Sequence, residues 1–264
     1  MTSMSHSSDN PWREPLHARF RGQPIPLIVM QDALWTGASL WAGTRAWTKA
    51  FRAMGLGRGD VLACTLPAGP AFAQVLLACL WDEIAFMPVR ARGAGALQAD
   101  ASVSDARVVI AESADVVATS LPVVAPDDAG QPPSRLPELP ATSAARSGFA
   151  LIAAAAADGP IHCHTAAQVV ERTRRMAARQ RLDGACVLSV MPWHLSNELI
   201  DGVLASLLHA DELVVAADRS PTTSLLLVAE HPVTHLSLDD ATAATWRTSA
   251  DGAALLGRVA VRYW

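Results

Sequence analysis

The segment Gly57-Arg58-Gly59-Asp60-Val61-Leu62-Ala63 joins a turn signal directly to an apolar run. Two glycines and an aspartate favour a tight turn, because glycine accepts backbone angles that other residues avoid and aspartate bonds to nearby backbone. The apolar run continues to residue 66, which suits a strand that is buried on both faces. The segment therefore predicts a turn followed by a buried strand at residues 61–66.

Helical patterns lie on both sides of that strand. Before it, Leu40, Trp47, Phe51 and Met54 recur at intervals of seven, four and three residues, which places them on one face of a helix over residues 39–54. After it, Pro70 suits the first turn of a helix to about residue 81, because its missing N–H is not needed there. Strand, helix and strand in this order imply a right-handed crossover and a parallel sheet.

The same alternation runs through the 264 residues and predicts an α/β fold of two βαβ-type lobes with mainly parallel sheets. We expect a flexible N-terminal arm at 1–24, a first lobe at 25–118, a proline-rich linker at 119–147 and a second lobe at 148–264. Trp12 and Phe20 are expected to anchor the arm. The predicted strands are 26–30, 61–66, 84–89, 107–111, 149–153, 185–190, 212–216, 234–236 and 259–262. The predicted helices are 39–54, 70–81, 95–104, 165–181, 197–208 and 222–230.

Composition excludes several classes of protein. A net charge of −4 argues against a dedicated nucleic-acid binder, and 51% hydrophobic residues allow a large core. The four cysteines show no C-x-x-C spacing, which favours a reducing cytoplasm over a disulfide framework. The polar N-terminus lacks an apolar signal core, and the apolar runs are too short to span a membrane. We therefore expect a cytoplasmic protein.

Three blocks of sequence carry a resemblance to a known family. They are residues 34–88, then Phe149-Ala150-Leu151-Ile152, then Val190-Met191-Pro192-Trp193-His194. In order and spacing they resemble the large N-terminal domain of the adenylate-forming superfamily of acyl-CoA synthetases, nonribosomal adenylation domains and luciferases. The resemblance implies that the second block enters a phosphate-binding loop and that the third lines an acyl pocket. The shortened histidine segment is similar to that of acyl-CoA-synthetase-like proteins from aryl polyene and xanthomonadin-type pigment clusters.

The chain departs from this family where the resemblance would place ATP. Its residues there are Ala153-Ala154-Ala155-Ala156-Ala157-Asp158-Gly159-Pro160. A phosphate loop uses glycines so that backbone N–H groups converge on the anion, with hydroxyls and a lysine as further donors. The alanine run supplies no hydroxyl, and the one lysine of the chain, Lys49, belongs to another segment. The family's later segments, including the C-terminal lobe with its catalytic lysine, are not found. We therefore expect no autonomous ATP chemistry and no cofactor, with ATP and Mg²⁺ entering only alongside a partner chain.

Two histidines follow the alanine run. His162 and His164, together with Asp158 and Gly159, form a candidate anion site in place of the phosphate loop. A metal site would need a third ligand, for which the sequence offers no matched residue. The simplest alternative is that these are polar residues leading into a helix capped by Thr165.

His194 is the candidate catalytic residue, with Trp193 and Asn197 beside it as a candidate substrate pocket. These residues follow the predicted strand at 185–190, and ligands of open parallel sheets bind at the carboxyl ends of the strands. His194 then acts as a pocket wall or a general base. The alternative is a structural histidine that is hydrogen-bonded within a strand-to-helix loop.

The predicted helix at 165–181 is basic. Its arginines form either a solvated face or a docking surface for an acidic partner such as an acyl carrier protein, with Arg175 and Arg179 as the docking residues. The contributing residues are Arg172, Arg174, Arg175, Arg179 and Arg181.

Three functions remain open at this stage. The first is a non-catalytic accessory that binds an acyl or aryl group, or its carrier protein, and pairs with a partner enzyme or a second copy of itself. The second is an AMP-forming acyl or aryl ligase that works with a partner chain. The third is a repurposed enzyme that uses His194 or His162 for acid–base chemistry on a thioester.

Overall fold

The computed structural model describes residues 10–20, 26–30, 33–90, 106–113, 120–140, 148–154 and 160–263. The predicted helix at 95–104 and the predicted site residues Asp158 and Gly159 lie outside these ranges. The elements, in chain order, are α1 (Arg13–Phe20), β1 (Pro26–Met30), β2 (Ala33–Thr36), α2 (Gly37–Ala53), β3 (Val61–Cys64), α3 (Pro70–Trp81), β4 (Ala85–Pro88), β5 (Ala106–Ile110), β6 (Val123–Val124), β7 (Leu151–Ala154), β8 (Ile161–His164), α4 (Ala166–Gln180), β9 (Cys186–Ser189), a π-helix (Glu198–Leu204), α5 (Ala205–His209), β10 (Glu212–Val215), α6 (Pro221–Glu230), β11 (His235–Leu238), α7 (Asp240–Arg247), α8 (Ala250–Leu256) and β12 (Ala260–Tyr263).

The predicted α/β fold is confirmed, and local signals explain where its helices begin. Thr36 caps α2 by accepting a hydrogen bond from the Ser39 backbone N–H at 3.1 Å. Thr165 and Gln168 form a reciprocal capping box at the start of α4, as the predicted cap at Thr165 requires. Gly55 follows α2 with a φ of 78°, a backbone angle that favours glycine.

The described strands form two mainly parallel sheets. Sheet A has the strand order β12-β11-β9-β10-β1-β2, and sheet B has the order β6-β5-β3-β4-β7-β8. Only the terminal pairs β1–β2 and β7–β8 are antiparallel among the described strands. The remaining pairs are parallel, as crossover helices between successive strands require.

The two sheets exchange strands between the two halves of the chain. The N-terminal strand β1 pairs in parallel with β10 of the second half, with Ile28 opposite Leu213. Strand β7, which follows the proline-rich segment, pairs in parallel with β4 of the first half, with Phe86 opposite Leu151. The predicted segments 25–118 and 148–264 therefore do not each form a separate sheet.

The core consists of helices packed between and outside the sheets. The largest apolar cluster joins α1 to α5 with the facing sides of both sheets, so these helices form an inner layer. A second cluster joins the outer side of sheet A to α6, α7 and α8 through Leu227, Trp246 and Leu255. A third covers the outer side of sheet B, around Val61, Met87 and Val109. No helix within the described ranges is long and apolar enough to cross a bilayer.

Within the segment predicted as an N-terminal arm, residues 13–20 form the helix α1. Trp12, Leu16 and Phe20 recur every four residues on one face of α1 and are all buried. The side-chain amide of Asn10 donates to the carbonyls of Leu80 and Trp81 at the end of α3, at 3.1 and 2.9 Å.

Arg19, also on α1, donates hydrogen bonds to carbonyls at the carboxyl end of α5. Its guanidinium donates to the carbonyls of Leu207, at 2.9 Å, and Ala210. Both α3 and α5 therefore have terminal carbonyls satisfied by groups at or next to α1, and a cation at a helix carboxyl end is electrostatically favourable. The N-terminal helix thus ties the first half of the chain to the second.

Other elements were missed by sequence reasoning. These are β2, β6, β8, α7 and α8. The short helices α7 and α8 begin at Asp239 and Ser249, whose side chains accept hydrogen bonds from the backbone N–H groups of Thr242 and Gly252.

The N-terminal helix predicts a measurable loss of stability. Phe20 is buried and stacks on Trp41 with ring centroids 5.8 Å apart. Phe20→Ala should lower the free energy of unfolding by about 3–5 kcal/mol, as for other large core residues. His17→Ala, an exposed change on the same helix, should alter it by less than about 0.5 kcal/mol. Denaturant unfolding of both variants checks this, and equal stabilities would show that α1 is not part of the core.

Candidate functional site

The carboxyl ends of strands from both sheets meet at one side of the molecule. A parallel β-bridge joins Ala154, at the end of β7 in sheet B, to Leu195, in the loop that follows β9 of sheet A. Met30, at the end of β1 in sheet A, lies against Gly69, in the loop after β3 of sheet B. Open parallel sheets bind ligands at such an edge, so this shared carboxyl edge is the candidate functional site.

The segments on either side of residues 155–159 pair as antiparallel strands. Strands β7 and β8 pair with Ala153 opposite His162 and Leu151 opposite His164. His162 and His164 therefore lie on an edge strand, whereas sequence reasoning placed them in the approach to a helix. Their ring centroids are 6.1 Å apart. Between the described ends of the hairpin lie residues 155–159, which are Ala-Ala-Ala-Asp-Gly in sequence.

His164 lies beside an internal ion pair. Arg172 of α4 forms a two-pronged ion pair with Asp201 of the π-helix, with Nε–Oδ1 at 2.7 Å, and also donates to Asn197 Oδ1 at 2.8 Å. Burial, followed by the charges of Arg172 and His162, lowers the pKa of His164, and Asp201 opposes this shift. Its Nε2 is buried without a hydrogen-bond partner in the described part of the chain. A neutral imidazole therefore faces this cluster near neutral pH.

The ion pair changes the interpretation of two residues, Arg172 and Asn197. Arg172 faces the π-helix rather than joining the exposed basic face of α4. Asn197, predicted to line a substrate pocket, is held by that guanidinium, so its amide oxygen already has a donor. Asp201 was not recognised from sequence.

Trp193 and His194 form a turn after β9, beside the Ala154–Leu195 bridge. Trp193 is buried, and its Nε1–H donates to Ser189 Oγ at 3.0 Å. Its ring meets Phe72 edge-on at a centroid distance of 5.5 Å, and Phe72 meets Phe86 in the same way at 5.2 Å. Trp193 therefore forms an apolar wall between the two sheets, while His194 is only half-buried.

A buried carboxyl supports this turn. Glu198, the first residue of the π-helix, accepts hydrogen bonds from Ser189 Oγ at 2.8 Å and from Ser237 Oγ at 2.5 Å. Since Ser189 also accepts from Trp193, one chain of hydrogen bonds links the turn, two neighbouring strands and the π-helix. A Cβ at Gly202 would lie 2.7 Å from the carboxyl of Glu198, so the site requires glycine there.

Burial dominates the electrostatics of Glu198. It raises the pKa of this carboxyl to about 7, although the hydroxyls of Ser237 and Ser189 oppose the shift. The charge of Asp201 raises the pKa further, and that of Arg219 lowers it. Sequence reasoning did not assign Glu198 to the site; the signal that was missed is the serine near the end of each of two apolar strands.

The predicted docking arginines lie on the solvent-exposed part of α4. Arg175 and Arg179 are both exposed, and Arg175 contacts Glu171 at 3.4 Å one turn away. Within the described residues, no group of three or more potential ligands could hold a metal ion.

Comparisons with known proteins identify the fold. No protein-family profile and no curated protein sequence matches the chain. Among solved structures, apo MatB from Rhodopseudomonas palustris is similar over 92% of this chain, with a TM-score of 0.72 and 15% identity. VinN is similar over 89%, with a TM-score of 0.70 and 19% identity. O-succinylbenzoate coenzyme A synthetase (MenE) from Bacillus subtilis is similar over 89%, with a TM-score of 0.71 and 14% identity.

The chain spans 51% of MatB, 62% of VinN and 53% of MenE. MatB has also been solved with ATP bound, and VinN with L-aspartate. The chain has the fold of the N-terminal lobe of these adenylate-forming enzymes.

The buried carboxyl predicts a specific pH dependence of stability. Because the folded pKa of Glu198 is raised from 4.5 to about 7, the folded chain binds this proton more tightly than the unfolded chain. Ionisation of Glu198 therefore lowers the free energy of unfolding progressively as pH rises from about 4.5 to 7, by roughly 3 kcal/mol in total. Glu198→Gln keeps a partner for both serines and should remove this slope.

Urea unfolding at a series of pH values measures the slope. Glu230→Gln, which changes an exposed carboxylate at the end of α6, should retain it. A Glu198→Gln variant with the unchanged slope would contradict the assignment.

Proposed function

We propose that this chain is a relative of adenylate-forming enzymes that binds an acyl or aryl group at the shared carboxyl edge, beside His194, without autonomous ATP chemistry. One observation carries the proposal. The β7–β8 hairpin, at the position that the family resemblance assigns to a phosphate loop, is connected by Ala155-Ala156-Ala157-Asp158-Gly159.

The residues of this hairpin do not fit a triphosphate. Alanine offers no side-chain donor and disfavours the backbone angles through which N–H groups converge on an anion. Each missing hydrogen bond to a charged phosphate costs about 1.5–3 kcal/mol. Asp158 adds negative charge, and Arg172 is already paired with Asp201. Lys49 is far along the chain, on α2. We therefore derive no chemical step through ATP or Mg²⁺ for the chain alone.

The surroundings of the turn support an acyl or aryl ligand. Trp193, the sequence neighbour of His194, packs edge-on against Phe72 in the core, and small-molecule sites combine apolar side chains with a few polar groups. His194 is the half-buried polar group of this turn. In this proposal Glu198 acts through Ser189 as a positioning residue for Trp193, and His194 contacts the ligand.

A carrier-linked ligand would also need a docking surface. The exposed Arg175 and Arg179 of α4 offer positive charge for an acidic carrier protein, and exposed charges of this kind mainly set encounter rate and specificity. In this proposal the chain is an accessory that pairs with a biosynthetic enzyme or with a second copy of itself.

An AMP-forming ligase is the second candidate, and the fold favours it. MatB has been solved with ATP, and MenE is a coenzyme A synthetase; both share this fold. In that case a partner chain must supply the phosphate-binding groups that the hairpin lacks.

Calorimetry separates the two candidates. We expect no saturable heat when ATP and Mg²⁺ are titrated into the chain, which corresponds to a dissociation constant weaker than about 1 mM. The matched variant Ala155→Ser, Ala156→Gly, Ala157→Thr restores hydroxyl donors and a glycine, and should bind more tightly than the wild type. Saturable binding by the unmodified chain would contradict the proposal and favour the ligase.

The acyl pocket is tested separately with octanoyl- and benzoyl-N-acetylcysteamine as probes. His194→Ala should weaken binding of the better probe about tenfold, through loss of a contact worth roughly 1.4 kcal/mol. His17→Ala, on α1, should leave binding unchanged. Equal affinities for the wild type and His194→Ala would remove His194 from the pocket.

A further inference from the structure

A cationic groove lies at the edge where the strands of sheet B begin. It runs between α1 and α2, next to the end of α3, and has a volume of about 660 Å³. We call it the α1–α2 groove. It is lined by His17, Trp41, Arg45, Ala46, Thr48, Lys49, Arg52 and Trp81. Because α2 and α3 both end just before strands of this sheet, the groove is at the opposite edge from the Trp193–His194 turn.

The floor of the groove is aromatic and recessed. Trp41 and Trp81 are half-buried and meet edge-to-face with centroids 5.0 Å apart. Phe20 stacks on Trp41 from within the core, and the Arg13 guanidinium lies 5.9 Å from the ring centroid of Trp81. The indoles are therefore fixed in place before any ligand arrives, which lowers the entropy cost of using them as an apolar contact.

The rim is positively charged although the chain as a whole carries −4. Arg45, Lys49 and Arg52 are exposed and lie on successive turns of α2, over a rise of about 10 Å. Asp82 pairs with Arg52 at 2.5 Å. In the described part of the chain, Arg45 and Lys49 have no ion-pair partner. The charges of Arg45 and Lys49 are thus left for an external anion to balance.

We propose that the α1–α2 groove is a docking site for an acidic amphipathic helix of a partner protein. Acidic residues on successive turns of such a helix match the spacing of Arg45 and Lys49, and its apolar side chains fit over Trp41 and Trp81. Aromatic residues and arginine are the side chains enriched in protein interfaces, and helix-in-groove docking uses this pattern of anchors.

The geometry disfavours a membrane surface as the occupant. Interfacial helices bury an apolar face that carries tryptophan about 5–10 Å into the boundary between headgroups and acyl chains. Here both indoles sit at the bottom of a groove, below a rim of long cationic side chains, and a flat bilayer cannot reach them. The chain's own first nine residues contain one acidic residue, Asp9, and so cannot supply the matching charge.

The experiment uses a synthetic, fluorescein-labelled helical peptide of about 16 residues, with glutamates on successive turns of one face and leucines beside them. Fluorescence anisotropy measures its binding to the full chain. A second peptide with glutamine in place of each glutamate tests the charge. We expect saturable binding of the acidic peptide that weakens steeply with added salt, and at least tenfold weaker binding of the glutamine peptide.

Variants locate the site. Arg45→Glu with Lys49→Glu, both exposed, should weaken binding about tenfold without changing thermal stability. Ala46→Phe, which fills the floor of the groove, should weaken it as well. Arg247→Glu with Arg258→Glu reverses an equal charge at two exposed positions outside the groove and should leave the affinity unchanged.

Four results would overturn the proposal. The first is no binding of the acidic peptide, and the second is equal binding to the Arg45→Glu, Lys49→Glu variant. The third is an equal loss of affinity in the Arg247→Glu, Arg258→Glu variant. The fourth is binding of phosphatidylserine vesicles that the Arg45→Glu, Lys49→Glu change abolishes while the peptide fails to bind.

Discussion

The parallel pairing of β1 with β10 is the constraint on which the rest of the structure depends. By setting Ile28 opposite Leu213, it fixes the N-terminal strand in the sheet formed by the second half of the chain. After β2 the chain leaves sheet A, and α2, β3 and α3 form on the side of sheet B. As a result α2 and α3 lie in the layer between the sheets, and strands of both sheets end at one side. Neither half of the chain forms the candidate site alone.

The buried carboxyl of Glu198 is the most unusual element of that site. A carboxyl in an apolar interior is stable only when hydrogen bonds compensate for the lost water, and two serine hydroxyls do so here. The network crosses from β9 to β11 and reaches Trp193, so it couples the position of the turn to the protonation of one group. Because π-helical segments often occur at functional sites, the π-helix that begins at Glu198 is consistent with a ligand nearby.

Local patterns in the sequence predicted most elements, because strands and helices with strong apolar periodicity are defined by neighbouring residues. The helix α2 and the cap at Thr165 follow from such signals. The exchange of strands between the sheets could not be predicted in this way, since β1 and β10 are far apart in sequence and no short pattern records which strands pair. The N-terminal helix was missed because its apolar face is only three residues long within a polar segment.

The candidate site, like the fold, was only partly predicted from the sequence. The position of His194 at the carboxyl end of a strand followed from the alternation of elements, and the structure has Trp193 and His194 in that turn. The roles of Glu198, Ser189 and Asp201 depend on contacts between separate elements, and a single sequence does not encode those contacts locally. His162 and His164 were predicted as an anion site or as polar residues leading into a helix, and the hairpin pairing puts them on an edge strand.

The central claim is that a hairpin connected by Ala155-Ala156-Ala157-Asp158-Gly159 cannot hold a triphosphate. The most direct measurement is a crystal structure of the chain grown or soaked with ATP and Mg²⁺ at millimolar concentration. The account predicts no ordered phosphates between β7 and β8. Phosphate density enclosed by the backbone N–H groups of residues 155–159 would contradict it, and would show a nucleotide-binding enzyme with an unusual loop.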